Sequence, residues 1–339
     1  MTAIPAAGAH GGDGARIAAA LGIDPADVLD LSASLNPFAP DVAALAARHL
    51  AAGALHRYPD VDRAERQLAD ALGIAADRLV LTAGGAQAIA LVAEHTGRGW
   101  VDDPEFSLYR RHLPRLDPTA PRWRSDPHNP SGRLAAHPDP HPDPGDGDGA
   151  HPGRPGGDED RGTGTGGEPG VWDEAFLPLS AGTWTRGRPG WALGSLTKAF
   201  ASPGLRLGFA LAPTPDEADA VRRRRPAWAV GGLECATLPD LLDHADPPGW
   251  TEQIAQARSD TAAVLRRHGL EPDPSDAPWL LVPHTSGLRE ALARQGVVVR
   301  ECSSFGMCNY SRIAVPGEAG IERLDLALTT VGDRHRRDR

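Results

Sequence analysis

Lys198 is the one lysine among the 35 basic residues of this 339-residue chain; every other is arginine. Arginine keeps its proton in proteins, whereas a lysine amine can be brought to neutrality and used as a nucleophile. Lys198 closes the string Ser195-Leu196-Thr197-Lys198, which sets two hydroxyls beside the amine. Arg206 follows in Pro203-Gly-Leu-Arg-Leu-Gly208, and its forked guanidinium suits a phosphate. Asp173 stands before the lysine, directly after Val171-Trp172, and Asn129 stands earlier in Asn-Pro-Ser-Gly. Each is weak alone, since an Asp at a strand end is usually a turn or cap and Asn-Pro-Ser-Gly is usually a turn. In this order they meet the demands of a Schiff-base cofactor with a basic ring: an amine, an acid for the ring nitrogen, an amide for a ring hydroxyl and a cradle for a phosphate.

Ser195 to Lys198 also matches the SxxK of serine acyl-transfer enzymes. Those need a second lysine in a downstream KTG, and the chain has none. Cys235, Cys302 and Cys308 are an odd number without CxxC spacing, so neither a disulfide framework nor a zinc site is indicated, and buried thiols are expected. The formal charge of −10 argues against nucleic-acid binding. No apolar run approaches the ~20 residues of a membrane span. Met1 to Gly14 lacks the order of a signal peptide, so the expected location is the cytoplasm.

The elements that must position these residues show in the apolar pattern. Short apolar runs alternate with helical stretches, which predicts an α/β fold with a mainly parallel central sheet. Helices are expected over 62–72, 86–94, 218–225 and 253–267. Strands are expected over 78–81, 205–212, 279–282, 297–299 and 312–315. Between the strand at Leu81 and the helix at Ala86 lies Gly84-Gly85, a turn whose free backbone N–H groups can cradle a phosphate. The four arginines Arg222 to Arg225 read as a solvated helix face. The tail from Asp333 reads as frayed.

Between Arg133 and Gly170 the composition changes: 11 Gly and 7 Pro fall in 38 residues, with eight acids against three arginines. Such a stretch cannot bury enough surface to offset the entropy of ordering it, and it reads as a disordered or loosely held insertion. It carries half of the net charge, so the acidity says little about the folded surface. Its His137, His141 and His151 and its Asp146-Gly-Asp148-Gly fragment fall short of a metal site, and no metal is expected.

The string Asn-Pro-Ser-Gly, Asp-Glu-Ala-Phe, Ser-Leu-Thr-Lys, Pro-Gly-Leu-Arg-Leu-Gly resembles the fold-type I pyridoxal 5′-phosphate (PLP) enzymes of the aminotransferase class I/II family. Within it the chain looks most like the branch joining histidinol-phosphate aminotransferases and threonine-phosphate decarboxylases. His10-Gly-Gly12 with Leu31-Ser-Ala-Ser-Leu-Asn36-Pro37, and Arg300-Glu-Cys302-Ser-Ser-Phe305, tilt the resemblance toward the decarboxylases. It covers essentially the whole chain except the insertion. It implies an N-terminal arm forming part of a small domain (1–45), a large PLP-binding domain (46–225, holding the 133–170 insertion) and a C-terminal small α+β domain (226–339).

Residue by residue, the resemblance implies Lys198 as the Schiff-base lysine and proton-transfer base, Asp173 opposite the ring nitrogen and Asn129 at the ring oxygen. Gly85, Ala86, Ser195, Thr197 and Arg206 hold the phosphate, and Phe106 stacks on the ring. Tyr58 reaches the phosphate of a neighbouring subunit, which implies a homodimer with shared active sites. Arg312 and Arg300 bind substrate anions, and His10 and Asn36 contact a distal phosphate. Phe176 stands where many relatives carry a tyrosine. The implied substrate is a small phosphorylated amino acid or amine, with no nucleic-acid or membrane partner. Two enzymatic outcomes are compatible with these residues, decarboxylation of L-threonine O-3-phosphate for cobalamin biosynthesis and amino transfer of the histidinol-phosphate type. A PLP-binding scaffold with little turnover is a third.

Overall fold

The structure is a computed structural model, and it describes residues 3–8, 10–136 and 170–337. Most of the Gly/Pro-rich insertion, with its histidines, lies outside the described residues. Its first residues do not hang free. The Leu134 N–H donates to the Asp276 carboxylate at 3.0 Å, and the Ala135 N–H to that of Asp126 at 2.9 Å.

In chain order the elements are α1 (Gly14–Leu21), β1 (Leu29–Leu31), α2 (Val42–Ala51), α3 (Val61–Leu72), β2 (Leu79–Ala83), α4 (Gly85–Thr96), α5 (Ser107–His112), β3 (Trp123–Ser125), β4 (Val171–Asp173), β5 (Trp191–Ser195), α6 (Leu196–Ala199), β6 (Leu207–Leu211), α7 (Pro215–Arg224), α8 (Gly232–Asp243), α9 (Pro247–Arg267), β7 (Trp279–Pro283), α10 (Leu288–Ala293), β8 (Val297–Glu301), β9 (Tyr310–Ala314) and α11 (Glu318–Arg337). Every helix and strand expected from the apolar pattern is present. The tail expected to fray is instead taken largely into α11.

A five-stranded sheet, order β2-β6-β5-β4-β3, forms the large unit. β2, β3, β4 and β5 all run in one direction and β6 alone runs antiparallel to its neighbours β2 and β5, so the sheet is mainly parallel, as expected. Its strands are buried on both faces. Leu79 and Leu81 point with Leu207 and Phe209 into one core, while Val80 points with Leu193 and Ala210 into the other. This is the period of two of a strand covered on both sides, and it explains why these strands read as continuous apolar runs. β4 is three residues long, and both its neighbours pair with it in register.

A second sheet, order β1-β8-β9-β7, carries α10, α11 and the end of α9. β1 comes from the N-terminal 45 residues and pairs parallel with β8, so the N-terminal arm is part of the small unit. The boundary expected at 225/226 shifts. Cys235, Leu238 and Leu241 of α8, with Trp250 and Ile254 of α9, pack into the core of the large unit, and only from Ala262 onward does α9 face the small one. Periodicity identifies α9 as a helix, but one 21-residue helix serves two cores.

The run Arg222–Arg225 also behaves differently from a solvated face. Arg222 and Arg225 turn inward to the buried carboxylate of Glu65, and donate to the carbonyls of Leu79 and Leu81. Arg223 and Arg224 are exposed.

Candidate active site

The expected residues converge where the C-terminal ends of β4 and β5 meet the N-terminus of α4 and the edge of the small unit. A cavity there is lined by Lys198, Asp173, Asn129, Phe106, Phe176, Gly85, Ala86, Ser195, Thr197 and Arg206 from the large unit. Arg300, Arg312, His10 and Ser34 line it from the small one. β5 ends at Ser195 and passes directly into the single turn of α6, which puts Lys198 at the mouth of the sheet.

The phosphate end is a backbone construction. Gly84 precedes α4 with φ 78°, in the region open to glycine, and a Cβ there would meet the Arg206 guanidinium at 2.6 Å. The guanidinium is held by the Pro203 carbonyl at 3.1 Å. The first N–H groups of α4, on Gly85 and Ala86, precede the helix's own hydrogen-bonding partners. With the Ser195 and Thr197 hydroxyls and Arg206 they make a donor-rich cup suited to a dianion.

Opposite the cup lies an acid. Asp173 accepts the Tyr109 O–H at 2.7 Å and the Ala175 N–H at 3.1 Å. Burial pushes its carboxyl above the usual carboxylate range, while Tyr109, Ala175 and the Lys198 charge pull against burial. Burial likewise brings the Lys198 amine down to about 8, and Arg312, Arg206 and Arg300 press in the same direction. A buried amine near neutrality, a buried carboxylate facing the cavity and a donor cup form a set that a ring with a protonatable nitrogen, an aldehyde and a phosphate completes. The residues fit PLP.

The small unit supplies cations. Arg300 and Arg312 are both buried and stand directly opposite each other across the antiparallel β8–β9 pair. Like charges in that position repel, so the fold carries an unfavourable pair that an anion relieves. Arg312 donates to the Asn129 side-chain oxygen at 2.7 Å and lies over the Trp279 ring. Burial, then Arg300, lowers its pKa to about 9, which still leaves it charged at neutral pH. Arg300 lies over Phe305. His10 contacts the edge of Phe106, and burial, then Arg300, Arg111 and Lys198, lower its pKa. Gly11 lets His10 in, because a Cβ on Gly11 would sit 1.9 Å from the Ser32 carbonyl oxygen.

Two expected residues lie elsewhere. Asn36 is buried but faces away from the cavity. Its amide donates to the Ala199 carbonyl at 2.8 Å and its oxygen accepts the Phe38 N–H at 3.0 Å, so its polar atoms are already committed to fixing the loop after β1 against α6. Tyr58 lies outside this cavity, 80 % exposed and against Trp228, at a separate depression by α8. Asn129 lines the cavity as expected, with the added task of orienting Arg312. Sequence reasoning missed Ser34, whose buried hydroxyl lines the cavity without a hydrogen-bond partner among the described residues. It also missed Tyr109 and Glu105. Tyr109 falls three residues after Phe106, the residue that caps the start of α5, and that closeness in sequence is the signal that could have found it.

Fold and site together define a PLP-dependent enzyme of fold type I. Residues 171–325 match the family model for aminotransferase class I and II. It is 29% identical to the threonine-phosphate decarboxylase of Salmonella typhimurium, over 95% of this chain and 96% of that protein. It is 27% identical to a histidinol-phosphate aminotransferase of Halobacterium salinarum, over 94% of each. The solved structure of the Sinorhizobium meliloti histidinol-phosphate aminotransferase in complex with pyridoxal-5'-phosphate shares the fold at a TM-score of 0.73 and 18% identity, covering 97% of this chain and 95% of that one.

Proposed function

We propose that the chain decarboxylates a small α-amino acid carrying a second, phosphate anion, with L-threonine O-3-phosphate as substrate and an aminopropanol phosphate of the kind cobalamin biosynthesis uses as product. The observation that carries this reading is the buried cross-strand pair Arg300 and Arg312, with His10 beside it. Two anion donors facing one cavity suit a substrate with two anionic ends, and phosphothreonine has a carboxylate and a phosphate in a single molecule. The similarity to the Salmonella decarboxylase supports the same choice.

PLP, when bound, supplies an aldehyde that captures the substrate amine and a ring that takes up the electron pair left at Cα. Asp173 would hold a proton at the ring nitrogen, Asn129 would serve the ring oxygen and the α4 cup would hold the phosphate. Phe106 packs on the ring. Phe176, which lines the cavity, would offer no hydroxyl to the ring oxygen. Arg312 binds the carboxylate, while Arg300, His10 and the Ser34 hydroxyl receive the substrate phosphate. By fixing the two anionic ends, Arg312, Arg300 and His10 would set which bond at Cα is oriented to break. The Lys198 amine would return a proton to Cα.

Amino transfer is the second reading, favoured by the 27% identity to the halobacterial aminotransferase. Purified protein incubated with PLP and phosphothreonine separates the two. Release of CO₂ without consumption of a keto acid supports decarboxylation, and glutamate-dependent conversion of the cofactor to its pyridoxamine form overturns it. Cofactor absorbance without product from either substrate marks a non-catalytic scaffold. We further infer a homodimer in which Tyr58 serves the partner's site.

A further inference from the structure

Glu105 is a second buried carboxylate at the acid end of the site, and none of the roles assigned above uses it. It stands just before Phe106 and α5. One carboxylate oxygen accepts the Phe106 N–H at 2.9 Å and the Ser125 hydroxyl at 2.5 Å, and the other accepts the Ser125 N–H at 3.0 Å. The Ser125 oxygen also receives the Asn129 N–H at 2.8 Å. On its other side the Ser125 hydroxyl interacts with Tyr109, which donates to Asp173 at 2.7 Å. Ser125 and Asp173 are register partners at the ends of β3 and β4. Glu105, Ser125, Tyr109 and Asp173 thus form one chain between two carboxyls.

The single proton of Ser125 gives this chain two arrangements. When Glu105 is ionised, Ser125 donates to it and Tyr109 receives nothing from Ser125. When Glu105 is protonated, its own O–H can donate to the Ser125 oxygen, which frees the Ser125 proton for Tyr109 and strengthens the Tyr109 bond to Asp173. Burial pushes the Glu105 carboxyl up to about 7, with the nearby Asp173 charge adding to burial and the Ser125 and Phe106 donors opposing it, so both arrangements are populated near neutral pH. The titratable groups facing Glu105 are His128, whose Nε2 lies 4.0 Å away in the turn after β3, Tyr109 from α5 and Asp173 from β4. The Lys198 charge acts on Asp173 from α6.

We propose that Glu105 is a positioning residue for Asp173, acting through Ser125 and Tyr109 to set how firmly the Asp173 carboxylate holds its charge toward the ring nitrogen. The proposal rests on the assignment of Asp173 to that nitrogen.

The test is the visible absorbance of the PLP-loaded protein followed across the neutral pH range, beside the PLP dissociation constant. Glu105→Gln removes the ionising group and keeps an acceptor for the Ser125 hydroxyl and the Phe106 N–H, while its NH2 leaves the Ser125 N–H without its acceptor. The inflection near neutral pH is expected to disappear, and the midpoint of the remaining transition to fall by about half a pH unit, because an anion that favours protonation of the site is gone. Glu105→Asp is expected to restore part of the inflection. Ser125→Ala, which leaves the carboxyl in place and breaks the chain, is expected to abolish it, and serves where Glu105→Gln does not fold. A pH profile unchanged from wild type in Glu105→Gln or in Ser125→Ala overturns the proposal, even where PLP affinity falls equally at all pH values, as a purely structural role predicts. Asp173→Asn is the control. If it leaves both absorbance and PLP affinity untouched, the assignment of Asp173 is wrong and the proposal falls with it. If it changes them while Glu105→Gln does not, Glu105 alone is misassigned.

Discussion

Burial and three arginines bring the Lys198 amine down to about 8, so at neutral pH a minority of the protein holds the neutral amine that attacks an aldehyde. Uptake of PLP by the apoprotein should accelerate with rising pH and level off above about 8, a trend that stopped-flow absorbance can follow. Lys198→Arg keeps the charge and cannot lose it. That variant should fold, as judged by circular dichroism, and show no visible cofactor absorbance. Glu105 makes the opposite contribution to stability. Its carboxyl is raised from 4.5 to about 7, so the folded chain binds a proton that the unfolded chain releases. That stabilisation is complete below 4.5 and is lost as pH rises through 7, a loss of roughly 3 kcal/mol. Glu105→Gln should therefore lose less stability than wild type between mildly acidic and mildly basic pH in urea unfolding; parallel curves would contradict it. Lys198 was legible because composition and motif agree on it. Glu105 was not, because an acid beside an aromatic in a loop has no signature until β3 brings Ser125 against it.

The inward turn of α7 shows why some elements were legible as shapes but not as contacts. Arg222 to Arg225 sit at the end of a helix whose polar run suggests solvent, yet Arg225 reaches Glu65, 160 residues away in sequence, and both are largely buried. Removing Arg225 leaves the buried Glu65 carboxylate with Arg222 as its remaining arginine and takes a charged donor from the Leu81 carbonyl, a cost of about 2 kcal/mol. Arg225→Met should lower unfolding stability by roughly that amount, whereas Arg223→Met, on the exposed side, should stay within about 0.5 kcal/mol. Denaturant titration of both variants checks the contrast. β4 gives a similar lesson. Two apolar residues before Asp173 look too few for a central strand, but β3 and β5 pair with all three residues of it. Around its end, Arg186 and Arg188 meet the fully buried Asp126, and the Arg186 guanidinium also binds the Ala135 carbonyl. That cluster ties the chain on both sides of the insertion to the sheet, and it is built from residues no local pattern links.

At the scale of the whole molecule, the cavity lies between two units, with the residues proposed to hold the cofactor on the large one and the arginine pair on the small one. A second face remains to be accounted for. Tyr58 is 80 % exposed, Leu55 69 % and Trp228 60 %, and Tyr58 and Trp228 lie with ring centroids 4.9 Å apart at the edge of the depression lined by α8. Large apolar side chains exposed together would suit an association surface, as the inferred homodimer requires. If two copies meet there about a two-fold axis, Tyr58 of each can donate its hydroxyl to the phosphate cup of the other. Sedimentation velocity should then give a dimer. Tyr58→Phe should leave the dimer intact, because the ring keeps its packing, and should weaken PLP binding severalfold through the lost hydrogen bond. Trp228→Glu should shift the protein toward monomer and weaken PLP binding with it. In that variant the affinity for PLP should recover as protein concentration rises, since a site completed by a partner depends on the partner's concentration. A monomeric wild type that binds PLP as tightly at low as at high protein concentration would leave Tyr58 without a role at the site.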